Sequence, residues 1–160
     1  MKLPDKFYKK TKIKARVGLI IFDSQGGDLF EGMKIGKLIR NKMISTQVTH
    51  DATCHSACVI AFLGGVERTP VGPMGIHSFY STEFIGELNF TLASDKYNAI
   101  SSQVEKYLNE LRIPVTILDE MKKIPYYDLK IIDAEQVESL GLLGIDPVYA
   151  QMLHDSRRKK

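Results

Sequence analysis

Polar and apolar residues alternate through KIKAR and then give way to an apolar run, VGLIIF, so residues 12–22 have the pattern of a strand entering a buried sheet. The run stops at DSQGGD (23–28), where two adjacent glycines permit a tight turn and leave backbone N–H groups uncovered by side chains. In LFEGMKIGKLIRNK, Phe30, Met33, Ile35, Leu38 and Ile39 recur near helical spacing, which predicts an amphipathic helix. Strand character returns at ISTQVT (44–49). Strand, glycine turn, helix and strand make a βαβ unit, which implies parallel pairing through a right-handed crossover.

The pattern then repeats with different content. After HDATCHS, the segment ACVIAFLGG reads as a buried helix closed by Gly64 and Gly65. Pro70 and Pro73 punctuate a loop before MGIHSFY, a short strand carrying His77. STEFIGELNFTLAS (81–94) is weakly patterned and predicts a loop or small hairpin. Helical spacing resumes over 94–111, with Ser94 and Asp95 as helix starters, and again over 115–123 after Pro114. IPYYDLKII then leads from a loop into a strand edge, and DAEQVESLGLLG predicts a short helix capped by Asp133. There is no repeat, low-complexity tract or linker, so residues 1–160 are expected to form one α/β domain.

Composition narrows the function classes. Of 160 residues, 44% are hydrophobic and 26% charged, ordinary for a globular chain, and the net charge is only +3. Much of the basic charge sits at the ends, so residues 1–12 and 155–160 are expected to be solvated tails. No basic stripe is interleaved with aromatics, which argues against nucleic acid, and no segment approaches the ~18 apolar residues needed to span a membrane. The N-terminus lacks a signal-peptide apolar region; as written the chain is expected in the cytoplasm, or exported if the true N-terminus lies upstream.

The chemistry concentrates in HDATCHSACVIAFLGG (50–65). Acyl transfer by serine needs an exposed hydroxyl, a base, and N–H donors placed where negative charge develops. Ser56 at a helix start has its hydroxyl beside free backbone amides and the positive end of the helix dipole. Gly26 and Gly27 offer a second bare backbone edge, and His77 ends a neighbouring strand. Each residue also has a plainer role: Ser56 as an N-cap, His77 as a hydrogen-bonded core histidine, the glycines as a βα turn. Cys54 and Cys58, with His50 and His55, lack the second hook of a structural zinc site. The two cysteines are expected to be small buried apolar residues, with a disulfide open to them if Cys54 still lies in the turn.

Four stretches resemble the ClpP/crotonase superfamily, and within it the proteolytic subunit of the Clp protease. DSQGGDLFEGMKIGKLIRN resembles its S-P-G-G-x-x-x-x-G-x-x-I segment, SACVIAFLGG its nucleophile segment, GIHSF its M-I-H strand, and DAEQVESLGLLGID its S-A-x-E-A-x-x-x-G-L-V-D ending. The resemblance implies stacked ββα units with parallel strands, lacking the family's N-terminal helix and first strand. It implies a serine peptidase acting on peptides or unfolded segments, with Ser56 as nucleophile and His77 as general base. Oxyanion donors would be the N–H groups of Gly26 or Gly27 and of Ala57, and Asp128 would be the third member unless the pair acts as a dyad. No cofactor or metal is implied; homo-oligomers and an ATPase partner are features of such relatives. Gln25 stands where the family has proline, which predicts a less rigid turn. The rival expectations are a non-catalytic scaffold or binding subunit of the same fold, and an acyl-CoA enzyme of crotonase type, whose glutamate and CoA-binding signatures are missing.

Overall fold

The computed structural model describes residues 18–79 and 90–158. Along the chain these form β1 (Leu19–Ile21), α1 (Leu29–Asn41), β2 (Ser45–Val48), β3 (Cys54–His55), α2 (Ala57–Phe62), β4 (Glu67–Pro70) and β5 (Met74–Ile76). There follow α3 (Phe90–Glu110), α4 (Thr116–Lys123), β6 (Lys130–Ile131), a 3₁₀ turn (Ala134–Gln136), β7 (Gly144–Ile145) and α5 (Pro147–Arg158). One sheet has the order β1-β2-β4-β7 and the other β3-β5-β6. The pairs β1/β2, β2/β4 and β3/β5 are parallel, while β7 and β6 close their sheets antiparallel. This is the expected α/β class.

The expected βαβ unit forms, but β1 is an edge strand, with Leu19 46% and Ile21 57% exposed, rather than one entering a buried sheet. Asp28 caps α1, its carboxylate accepting from the Glu31 N–H at 2.9 Å, which satisfies one of the helix's unpaired donors. The face α1 buries differs from the apolar spacing, however: Leu38 is 51% exposed and Phe30 38%, whereas Gly32, Gly36 and Arg40 are buried with Met33 and Ile39. Helix α2 is buried throughout its six residues and approaches α1 across glycine. A Cβ on Gly32 would stand 2.7 Å from the Ala57 carbonyl oxygen. The Tyr107 hydroxyl occupies the space that a side chain at Gly36 would need, and donates to the Ile60 carbonyl at 2.6 Å.

Arg40 reaches inward because a buried counter-charge waits for it. Its guanidinium donates to the carbonyls of Leu63, Gly64, Gly65 and Leu111 and to Asp146 Oδ2 at 2.8 Å. Arg112 binds the same carboxylate, which also accepts from the Val148 and Tyr149 N–H groups at the start of α5. Burial would by itself raise the Asp146 carboxyl. Hydrogen bonds from Arg112 and the Tyr149 N–H, with the charges of Arg40 and Arg112, hold it below the usual carboxylate range. Arg68, in β4, is lowered to about 10 by burial first and by the Arg40 charge second.

Several expectations need correcting. The segment read as a proline-punctuated loop contains β4, whose polar sequence ERTP hid it; Arg68 is buried there and donates to the Gly65 and Gly141 carbonyls. The short helix over 133–144 is only a 3₁₀ turn, and the Asp133 side chain makes no cap bond. The C-terminal residues expected as a tail are helical through Arg158. α3 begins at Phe90, ahead of the expected start at Ser94. Tyr80 of the expected MGIHSFY strand, residues 81–89 of the expected loop or hairpin, and residues 1–17, which include the expected N-terminal tail and the start of the first strand, lie outside the described residues.

Candidate functional site

β3 ends at His55, and the chain must turn at once into α2. Ser56 makes that turn at φ 56°, ψ −126°, a conformation that a residue with a side chain seldom adopts. Such a corner costs about 1–3 kcal/mol and persists only where its surroundings hold it. The Ser56 N–H donates to the Gly75 carbonyl at 2.8 Å, and the Val59 N–H donates to the Ser56 carbonyl at 2.9 Å. The side chain makes no cap bond, so Ser56 does not do the work of an N-cap serine. Among the described residues its half-buried hydroxyl has no hydrogen-bond partner.

The glycine turn lies directly alongside. Ser24 bridges Cys54 in parallel, with Ser24 N–H donating to the Thr53 carbonyl at 2.8 Å and His55 N–H to the Ser24 carbonyl at 3.0 Å. Two residues further on, Gly26 comes against Ser56: a Cβ at Gly26 would lie 2.7 Å from the His55 carbonyl oxygen and 2.8 Å from Ser56 Cβ. Gly26 also has φ +107°, in the region that favours glycine. Gly26→Ala is therefore expected to cost about 1–3 kcal/mol, read as a lower thermal midpoint. Gln25 ties the glycine turn to β3, its Oε1 accepting from His55 Nδ1 at 2.8 Å and its Nε2 donating to Thr53 Oγ1 at 3.1 Å.

The two glycines differ as donors. The Gly26 N–H is taken by Ser24 Oγ at 3.2 Å, whereas those of Gly27 and Ala57 make no hydrogen bond within the described residues. Ala57 follows Ser56 directly, and Gly27 follows the Gly26 that packs against it; unpaired amides are the kind of donor a developing oxyanion requires.

His77 follows β5, which pairs in parallel with β3 in the register Cys54↔Met74 and His55↔Gly75. Ser56 and His77 are thus carried at the same end of adjacent parallel strands. The His77 Nδ1 lies 2.7 Å from the Ser78 carbonyl oxygen. A carbonyl only accepts, so Nδ1 carries the proton and Nε2 is the bare acceptor. No hydrogen bond joins His77 to Ser56 in this structure. Asp128 makes no hydrogen bond to either: it is exposed in the turn before β6, and its Oδ1 accepts from the Leu129 N–H at 2.8 Å. No Ser–His–Asp hydrogen-bonded chain is formed among the described residues.

Cys54 and Cys58 are not free apolar side chains but a disulfide, with Cα atoms 5.3 Å apart and Ser56 midway between them. Neither can offer a thiolate to a metal. The pairing has the condition the spacing set for it, since Cys54 precedes α2 in β3. Sequence reasoning did not anticipate Ser24 Oγ or the Ser78 carbonyl as partners in the site; both act through contacts with no side-chain motif.

Fold and site together define an α/β protein with a positive-φ serine at a strand–helix corner, packed against a glycine turn. No protein-family model matches the chain, and no curated protein does. Among solved structures it is similar to a point mutant of ClpP1 from Listeria monocytogenes, at 14% identity and a TM-score of 0.48 over 78% of this chain and 70% of that one. It is also similar to a point mutant of the 1510-N membrane-bound stomatin-specific protease, solved with a substrate peptide, at 21% identity and a TM-score of 0.49. That match covers 80% of this chain and 60% of the other. No helix among the described residues is long and apolar enough to cross a membrane.

Proposed function

We propose that the chain is a serine hydrolase that cleaves peptides or unfolded segments through an acyl-enzyme at Ser56. The observation that carries this is the Ser56 corner itself: a positive-φ serine that caps nothing, with the N–H groups of the next residue, Ala57, and of Gly27 in the adjoining turn left unpaired among the described residues. His77 is the base. Its Nδ1–H is held by the Ser78 carbonyl, so Nε2 takes the Ser56 proton as Oγ attacks the scissile carbonyl, and returns it to the leaving amine. Gly27 and Ala57 N–H stabilise the oxyanion, and water then releases the acyl group by the same steps. The hydroxyl–imidazole hydrogen bond, not made in this structure, is one that forms when substrate binds.

In this scheme the Ser78 carbonyl does the orienting that a triad carboxylate does elsewhere. Asp128→Asn is accordingly expected to leave labelling within about threefold of wild type, against the roughly 10⁴-fold loss such a change causes at a triad aspartate. The whole reading is tested by treating the purified chain with a fluorophosphonate and mapping the adduct by mass spectrometry. An adduct on Ser56 supports it; an unmodified protein excludes it. The rival is a scaffold of the same fold without turnover, favoured by the absence of a Ser56–His77 hydrogen bond, and it predicts the unmodified result.

A further inference from the structure

We propose that the Cys54–Cys58 disulfide is a clamp that positions Ser56, and that its reduction switches the hydrolase off; this rests on the serine reading above. Among the described residues it is the one covalent bridge, and it encloses only His55, Ser56 and Ala57. Three things the chemistry needs lie within or against that small ring: the Ser56 hydroxyl, the Ala57 N–H, and the backbone corner that aims both.

Loop length separates a local clamp from a general staple. A cross-link stabilises a fold chiefly by closing a long loop, because the chain entropy removed grows with the residues enclosed. Five residues from Cys54 to Cys58 enclose almost none. What the bridge fixes is the separation of two supports. Cys54, fully buried, is held in β3 by its N–H bond to the Pro73 carbonyl, and Cys58, 5% exposed, belongs to the first turn of α2. Between them Ser56 occupies a conformation that is unfavourable unless both ends are held. Its remaining restraints, one hydrogen bond at the N–H and one at the carbonyl, do not bind strand to helix across the corner.

Reduction by a dithiol breaks the Sγ–Sγ bond. Two electrons and two protons pass to the sulfurs, leaving thiols on Cys54 and Cys58, and the dithiol departs as its own disulfide. The corner then relaxes from positive φ, and the hydroxyl and the Ala57 N–H lose their common aim. A displacement of about 1 Å at a reacting group costs up to roughly 10²-fold in rate.

The experiment compares the oxidised full-length chain, the same protein in excess dithiothreitol, and the Cys54→Ala/Cys58→Ala variant. Far-UV circular dichroism and thermal melting report the fold. The fluorophosphonate labelling rate reports Ser56, and hydrogen exchange of the Ser56 and Val59 amides reports the corner. The expected result is a retained fold, labelling slowed by about tenfold or more in both disulfide-free states, faster exchange at the two amides, and recovery when glutathione disulfide reoxidises the wild type. Equal labelling and equal exchange in all three states overturns the proposal, and so does global unfolding on reduction, which would make the bridge a staple. Should the oxidised protein take no label, the hydrolase reading fails separately; exchange at the two amides still decides the clamp, upheld if reduction accelerates it and overturned if not.

Discussion

Ser56→Ala should abolish fluorophosphonate labelling and lower peptide turnover on the order of 10⁶-fold, the scale on which serine hydrolases lose activity without their nucleophile. The same change should barely touch the fold. The hydroxyl caps no helix and has no hydrogen-bond partner among the described residues, and alanine meets the positive φ on the same terms as serine. Stability within about 0.5 kcal/mol of wild type is therefore expected. Catalytic and structural roles are cleanly separable at this position. An N-cap serine would behave in the opposite way, losing about 1 kcal/mol of stability and no labelling. Equal labelling of wild type and Ser56→Ala would remove the nucleophile from Ser56.

Asp146→Ala should be the most destabilising single change in the charged centre of the molecule. The Asp146 side chain is 2% exposed and pairs with Arg40, itself 9% exposed, while Arg112 approaches from the more open side. Removing the carboxylate leaves the Arg40 charge buried without its counter-ion, a loss of about 3–5 kcal/mol. For a chain of this size that lowers the thermal midpoint by on the order of 10 °C. The two N–H groups at the root of α5 lose their acceptor as well. The pH dependence follows from the sign of the shift: the folded carboxyl is depressed, so its contribution is present above the ordinary value of ~3.9 and fades as the pH falls toward the folded value. Melting curves from pH 7 down to pH 3 should therefore show a steeper fall in wild type than in Asp146→Asn. A midpoint unchanged by Asp146→Ala would show that the carboxylate is dispensable.

The fold class was legible because burial writes itself as period. The existence of β1, α1 and β2 follows the apolar pattern around the glycine turn, though not which face each buries, and α2 shows as an apolar run followed by two glycines. Where charge is buried, the pattern fails. Arg40 lies on the inner face of α1 while Leu38 faces outward, and β4 carries Glu67 and Arg68 in place of the apolar residues of a central strand. Nothing in the local sequence announces that Asp146, 106 positions from Arg40, will meet it. The site divides in the same way. Ser56, His77 and the two glycines stand out by residue type and order, whereas the Ser78 carbonyl and Ser24 Oγ act through geometry that appears only after folding. Asp128, a carboxylate at a fitting sequence distance, gives one oxygen to its neighbour's amide and makes no hydrogen bond to His77.

The ionisable groups of the interior also set a quiet interval. Asp146 keeps its negative charge down into acid, Arg68 titrates at about 10, and burial pushes the Tyr107 phenol above its ordinary value. Across neutrality the buried charges of Asp146 and Arg68 therefore stay fixed, and the interior around them adds no titration of its own to the labelling rate.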